Sequence, residues 1–120
     1  MDKRSLGVFG EDAAVRFLRK KGYSIVERNF SCRFGEIDII ARKAAFVVFV
    51  EVKLRKNSDF AAAREFVTAA KQRRIISTAS LWMSMKRCEL QPRFDVIEIY
   101  AADGENSRKL QINHLEDAFQ

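Results

Sequence analysis

Residues 35–55 read Gly35-Glu36-Ile37-Asp38-Ile39-Ile40-Ala41, Arg42-Lys43-Ala44-Ala45, then Phe46-Val47-Val48-Phe49-Val50-Glu51-Val52-Lys53-Leu54-Arg55. The second run is apolar almost throughout, the pattern of a strand buried on both faces. Side chains alternate along a strand, so Glu51 and Lys53 share the face of Val47 and Phe49. Phe46, Val48, Val50, Val52 and Leu54 face the other way, toward a helix. Residues 36–41 form a second strand, with Glu36, Asp38 and Ile40 on one face and Ile37, Ile39 and Ala41 on the other. The four residues between the strands suit a hairpin. A symmetric hairpin sets Asp38 opposite Phe49 and Glu36 opposite Glu51. Asp38 and Glu51 are then diagonal neighbours, and Lys53 lies one pleat beyond.

Charged groups in such a run need a partner or a purpose, because burying an unpaired carboxylate or ammonium costs several kcal/mol or more. On a solvated strand face, Glu-x-Lys is an ordinary surface pair worth little. The apolar surroundings and the upstream Asp38 favour a site. An acid at one strand end followed by Glu-x-Lys on the next is the layout of a metal-dependent phosphodiesterase. Two carboxylates supply hard oxygen ligands for Mg2+ or Mn2+. Such a cation polarises a phosphate and acidifies a bound water. Lys53 would position that water and offset charge on the phosphate oxygens. Glu36 is either a further metal ligand or an acid holding a basic side chain.

Outward from this pair, residues 5–21 carry Leu6, Phe9, Ala13 and Phe17 at helical spacing, with Gly22 as the cap after Arg19-Lys20-Lys21. Glu11 lies in its first half, where an acid is favoured by the helix dipole. Tyr23 to Phe30 predicts a first strand. Phe60 to Met85 is helical, broken near Val67-Thr68, with Asp59 and Thr68 as caps. Ala69, Ile76, Ala79 and Met83 form its apolar stripe, and Trp82 belongs to the core. Arg93 to Tyr100 predicts an internal strand. Residues 103–108 make a turn, Leu110 to Asn113 a short last strand, and a helical turn runs to Phe119. The order is αβββαβ with a tail. Three strands form a meander, and the helix returns the chain for a strand parallel to the third. The expected fold class is an α/β sandwich with a mixed central sheet.

The chain has 120 residues, 48% of them hydrophobic and 11% aromatic. That suits one globular domain, residues 1–120, rather than a disordered segment or two domains. No apolar stretch approaches a membrane span, and the N-terminus lacks the apolar core of a signal peptide. Cys32 and Cys88 lack metal-ligand spacing and are expected to be reduced thiols in a cytoplasmic protein. His114, the sole histidine, is a surface or packing residue. No Gly-rich phosphate loop and no Ser or Cys nucleophile has a recognisable setting.

The formal net charge is +6 and the sequence pI about 9.6. Arg16, Arg19, Lys20 and Lys21 end the first helix, and Arg55 and Lys56 follow Lys53. Lys71, Arg73, Arg74, Lys86 and Arg87 come later. Moderate basicity also serves solubility. Beside a phosphodiester site it would neutralise backbone phosphates and make binding salt-dependent.

Several runs resemble the YraN-type family of bacterial endonuclease-like proteins. They are Gly10-Glu11-Asp12-Ala13-Ala14, Gly22-Tyr23-Ser24-Ile25, Arg28-Asn29-Phe30, Gly35 to Ala41, Phe49 to Arg55, Lys71-Gln72-Arg73-Arg74-Ile75 and Arg93-Phe94-Asp95-Val96. That family is similar to Holliday-junction resolvases and has the restriction-endonuclease-like fold with its PD-(D/E)xK motif. The resemblance implies that Asp38 is the motif's Asp, Glu51 its second acid and Lys53 its lysine. It implies Glu11 as a first-helix glutamate near the metal and Gln72 as a helix residue facing the site. Ile37 stands where the motif's Pro would be. A homodimer is implied as well, since the similar resolvases are dimers.

Three readings follow. The first is a Mg2+- or Mn2+-dependent nucleic-acid phosphodiesterase acting on DNA, branched or flapped, with Asp38, Glu51, Lys53 and Glu11 as its catalytic set. Asp38, Glu51 and Glu11 would ligate the metal, and Arg55, Lys56, Lys71, Gln72 and Arg74 would contact the nucleic acid. The second is a non-catalytic nucleic-acid-binding module that keeps the nuclease fold. The third is a structural protein in which Asp38, Glu51 and Lys53 form an internal ion-pair network.

Overall fold

The computed structural model describes residues 3–55, 67–101 and 110–120. Within them the elements are α1 (Lys3–Lys20), β1 (Ser24–Cys32), β2 (Gly35–Lys43), β3 (Phe46–Arg55), α2 (Ala69–Lys86), β4 (Gln91–Tyr100) and β5 (Gln111–Phe119). The expected helix over 60–66, its Asp59 cap, Lys56 and the 103–108 turn lie outside the described residues.

The strands form one sheet in the order β1-β2-β3-β4-β5. β1–β2, β2–β3 and β4–β5 pair antiparallel, and β3–β4 pair parallel. The chain therefore forms the expected α/β sandwich with a mixed sheet: a meander, a crossover through α2, and a parallel fourth strand. β5 then adds a fifth strand beyond the αβββαβ core.

α1 and α2 cover opposite faces. Ala13, Ala14, Val15 and Leu18 of α1 pack on Ile39, Ala41, Val48, Val50, Ile97 and Ile99. Ile75, Ala79 and Trp82 of α2 pack on Ile40, Val47, Phe49, Phe94 and Val96. β3 is thus buried on both faces, as its continuous apolar run requires.

α1 ends as Gly22 allows. Gly22 sits at φ +92°, the Tyr23 N–H donates to the Leu18 carbonyl at 3.0 Å, and the Gly22 N–H donates to that of Arg19 at 3.0 Å. This double return is the Schellman stop, and a Cβ would strain it. Thr68 caps α2 by accepting the Lys71 N–H at 3.1 Å, as its position predicts.

Two expectations change. The buried stripe of α2 is Ile75, Thr78, Ala79 and Trp82, whereas Ala69 is exposed and Ile76 and Met83 are partly buried. The helix is turned so that its largest side chain, Trp82, meets Phe49 edge-on at 5.8 Å. The tail is not a helical turn: β5 continues to Phe119. Asp95 holds it there. Its Oδ1 accepts the Asp117 N–H at 3.0 Å, and the His114 Nε2–Oδ2 distance is 2.7 Å. Lys21 Nζ donates to His114 Nδ1 at 2.8 Å, which leaves Nε2 as the protonated donor to Asp95. His114 is therefore a buried packing residue rather than a surface one; only 3% of its side chain is exposed.

Candidate metal and phosphodiester site

The β2–β3 ladder runs from Lys43↔Phe46 to Ile39↔Val50. It is two residues off the symmetric hairpin, because the turn contains only Ala44 and Ala45. The left-handed φ of +53° at Ala44 closes that tight turn. Phe49 pairs with Ile40, and the next step of the register places Asp38 beside Glu51 rather than diagonal to it. Glu36 is exposed, pairs with Ser31 of β1 and does not face Glu51.

Asp38 also leaves the strand's alternation. Ile37 packs on the α2 side and Ile39 on the α1 side, although strict alternation would place both on one side. Asp38 Oδ2 accepts the Val52 N–H at 2.8 Å. The side chain thus takes over a backbone donor of β3 just where the ladder ends, which holds the carboxyl in line with the strand edge.

Glu51 is 6% exposed. Its Oε2 contacts Lys71 Nζ and lies 3.5 Å from Lys53 Nζ. Asp38 is pushed up to about 8, first by burial and then by the charge of Glu51. Two close carboxyls out of water cannot both ionise cheaply, so Asp38 keeps its proton to a higher pH than an exposed carboxyl. Burial pulls Lys53 below the usual lysine value, and the Lys71 charge adds to that against the pull of Glu51. For Lys71, burial lowers the value, but its hydrogen bond and charge contact with Glu51 outweigh this and leave it raised.

Glu11 of α1 is near enough for its charge to raise Asp38 further, but its Oε1 is 3.5 Å from Arg28 Nη2. Arg28 also binds Asp12 Oδ1 at 2.8 Å. Among the described residues no group of three or more His, Cys, Asp or Glu is gathered to hold a metal ion. Asp38 and Glu51 are the close oxygen pair, and Glu11 stands by, held by Arg28.

The basic residues divide. Lys71 lies at the acid pair itself. Gln72 is drawn away, donating to the Val67 carbonyl at 3.1 Å. Arg74 is exposed on α2, and Arg55, half-buried, ends β3 opposite Tyr100. Sequence reading gave Lys71 only a phosphate-contact role, since its meeting with Glu51 depends on how α2 docks. It also passed over Glu98, which is 4% exposed and lies beside Lys53 in the parallel ladder. Glu98 Oε1 accepts from Asn113 Nδ2 at 3.1 Å and from the Tyr100 hydroxyl at 3.3 Å. An acid within the apolar run Phe94-Asp95-Val96-Ile97-Glu98-Ile99 was the available signal.

The donor set suits a hard divalent cation: two carboxyls side by side, one holding a proton that a cation would displace.

A meander, a crossover helix and an acid pair with a lysine on the central strands define a restriction-endonuclease-like α/β sandwich. The chain belongs to the uncharacterised protein family UPF0102, whose model matches residues 10–99. It is 48% identical over 119 residues to a UPF0102 protein of Clostridium perfringens (strain 13 / Type A), covering 98% of this chain and 95% of that one. It is 46% identical over 119 residues to one of Geotalea daltonii, covering 98% and 91%. With one of Caldicellulosiruptor saccharolyticus it shares 42% over 120 residues, covering 99% and 100%.

Proposed function

We propose that this protein is a divalent-metal-dependent nucleic-acid phosphodiesterase, an endonuclease acting on DNA with branched or flapped structure. The observation that carries the reading is the Asp38–Glu51 pair at the end of the β2–β3 ladder, with Glu51 buried and in contact with Lys53 and Lys71. A purely structural network supports it less well, because apolar side chains of similar volume would serve stability as well or better.

Asp38 and Glu51 would hold Mg2+ or Mn2+, joined by Glu11 once Arg28 yields it. The bound cation would polarise the scissile phosphate and acidify a water. Lys53 is held low by burial, so at a given pH more of it is neutral amine than in an exposed lysine. That amine can accept a proton from the attacking water. Lys71 offsets charge on the phosphate oxygens once it leaves Glu51. Arg55, Arg74 and Lys56 would contact flanking phosphates, in keeping with the +6 net charge.

A second reading is a nucleic-acid-binding module without turnover. The Glu11–Arg28 pair favours it, since that contact keeps the third acid from the other two.

The test is cleavage of labelled four-way junction, flap, single-stranded and duplex DNA and of RNA in Mn2+, with Glu51→Gln purified in parallel. The expected result is cleavage of a branched DNA that falls by at least about a hundredfold in Glu51→Gln. Salt-sensitive binding without cleavage selects the module. Equal activity in both proteins removes the site.

A further inference from the structure

We propose that the β1–β2 turn and the outer face of α2 form a subsite for one unpaired nucleotide, with Phe34 as the surface on which its base stacks. The inference rests on the phosphodiesterase reading and narrows its substrate to nucleic acid with a single-stranded stretch beside the scissile phosphate.

Phe34 is 38% exposed, the only aromatic among the large exposed hydrophobics of the described residues. It stands in a tight turn, where small polar residues are the usual choice. The guanidinium of Arg33 lies 4.7 Å from its ring centroid, and the Phe34 N–H donates to Cys32 Sγ at 3.4 Å. The turn is pressed against α2: a methyl on Gly35 would meet Arg74 Cβ at 3.5 Å and Thr78 Oγ1 at 3.6 Å. Between them opens a concavity of about 280 Å3, lined by Phe34, Ala70, Arg73, Arg74 and Ser77. Sites for drug-sized ligands run to roughly 300–1,000 Å3, so this one suits a single nucleotide and not a duplex.

The chemistry matches that ligand. An aromatic face accepts any base, and arginines beside it neutralise the phosphates on either side. Arginine also stacks on and bonds phosphate in a planar fork. An apolar partner surface would not be served by Arg33, Arg73 and Arg74 around a single ring.

Position links the subsite to the acid pair. Arg74 follows Lys71 by three residues, on the same side of α2, about 5 Å along its axis. Gly35 precedes Asp38 by three residues, about 10 Å along β2. That span is a few stacked nucleotides at about 3.4 Å each. The two elements that deliver Lys71 and Asp38 to the site therefore also carry the concavity. A strand whose phosphate reaches Glu51 passes over Phe34.

The test is binding in chelator, so that no turnover enters. Fluorescence anisotropy would use a labelled single-stranded DNA, an RNA of the same sequence, an abasic strand of equal length and the blunt duplex. Wild type is expected to bind the single strands about tenfold more tightly than the abasic strand, and Phe34→Ala to lose about tenfold on them alone. Phe34→Tyr should retain binding, while Phe34→Leu, which keeps apolar bulk without a π face, should behave as Phe34→Ala. A preference of RNA over DNA, or the reverse, would identify the sugar. Unchanged binding in Phe34→Ala, or equal affinity for the abasic strand, overturns the subsite. If cleavage in Mn2+ persists while Phe34→Ala binds normally, the subsite alone falls. If binding needs Phe34 but nothing is cleaved, the phosphodiesterase reading alone falls.

Discussion

Asp38 shows how a single residue carries opposing demands. Its Oδ2 replaces a strand carbonyl by accepting the Val52 N–H, while burial and Glu51 push its pKa up to about 8. The folded state therefore holds a proton that the unfolded chain releases near the ordinary value of 3.8. The stabilising contribution is fully present below that value, declines as pH rises, and is lost above about 8. Asp38→Asn keeps an acceptor for Val52 and removes the ionisation. In metal-free buffer at pH 9 it should be more stable than wild type by roughly 2–4 kcal/mol after allowing for solvent screening. At pH 4 the difference should vanish, and urea melts at the two pH values would check this. On the proposed metal-dependent reading, Mn2+ should reverse the ranking at pH 9, because the carboxylate would then be a ligand. Glu98 and Lys71 teach the complementary point. An acid within an apolar run marks itself in the sequence, whereas a lysine meeting an acid across the fold does not.

At the scale of elements, local signals and packing divide the work. Gly22 and Thr68 marked the ends of their helices because a left-handed stop and a capping hydroxyl are local chemistry. The end of α2 lacks such a residue: Arg87 holds the left-handed position at φ 50° while its N–H and that of Cys88 return to α2 carbonyls. A side chain there carries a steric cost that glycine avoids. Arg87→Gly should raise stability by about 0.5–1 kcal/mol, seen as a higher urea midpoint with an unchanged slope. β5 argues the other way. Its first residues read as a short strand and its second half as a helical turn, and the strand continues to Phe119 because Asp95 collects the Asp117 N–H and His114. The Asp95 carboxyl is itself held below the usual range: burial raises it, but the His114 and Arg93 hydrogen bonds outweigh that.

At the scale of the whole molecule, the sheet lying between α1 and α2 among the described residues places the acid pair on the α2 side of β3, within reach of both β2 and α2. Phe49 anchors that side: it is 1% exposed, stacked on Phe94 at 5.6 Å and edge-on to Trp82. Phe49→Ala should cost about 3–5 kcal/mol. Against a typical total of about 5–15 kcal/mol, that is enough to shift the urea midpoint strongly. Loss of Phe49 would loosen the contact that carries Lys71 to Glu51, so activity should fall with stability. Among the described residues no helix is long and apolar enough to cross a membrane.

The sequence by itself determined the order of elements, the burial of β3 on both faces, the parallel crossover and the presence of Asp38, Glu51 and Lys53 on adjacent strands. Those follow from apolar periodicity, turn chemistry and the expense of buried charge, all of them local in the chain. The two-residue shift in register, the rotation of α2 about Trp82, the contact of Lys71 with Glu51, the capture of Glu11 by Arg28 and the continuation of β5 to Phe119 were decided by tertiary structure. Each depends on which surfaces pack together, and a pattern along the chain carries no information about a partner tens of residues away.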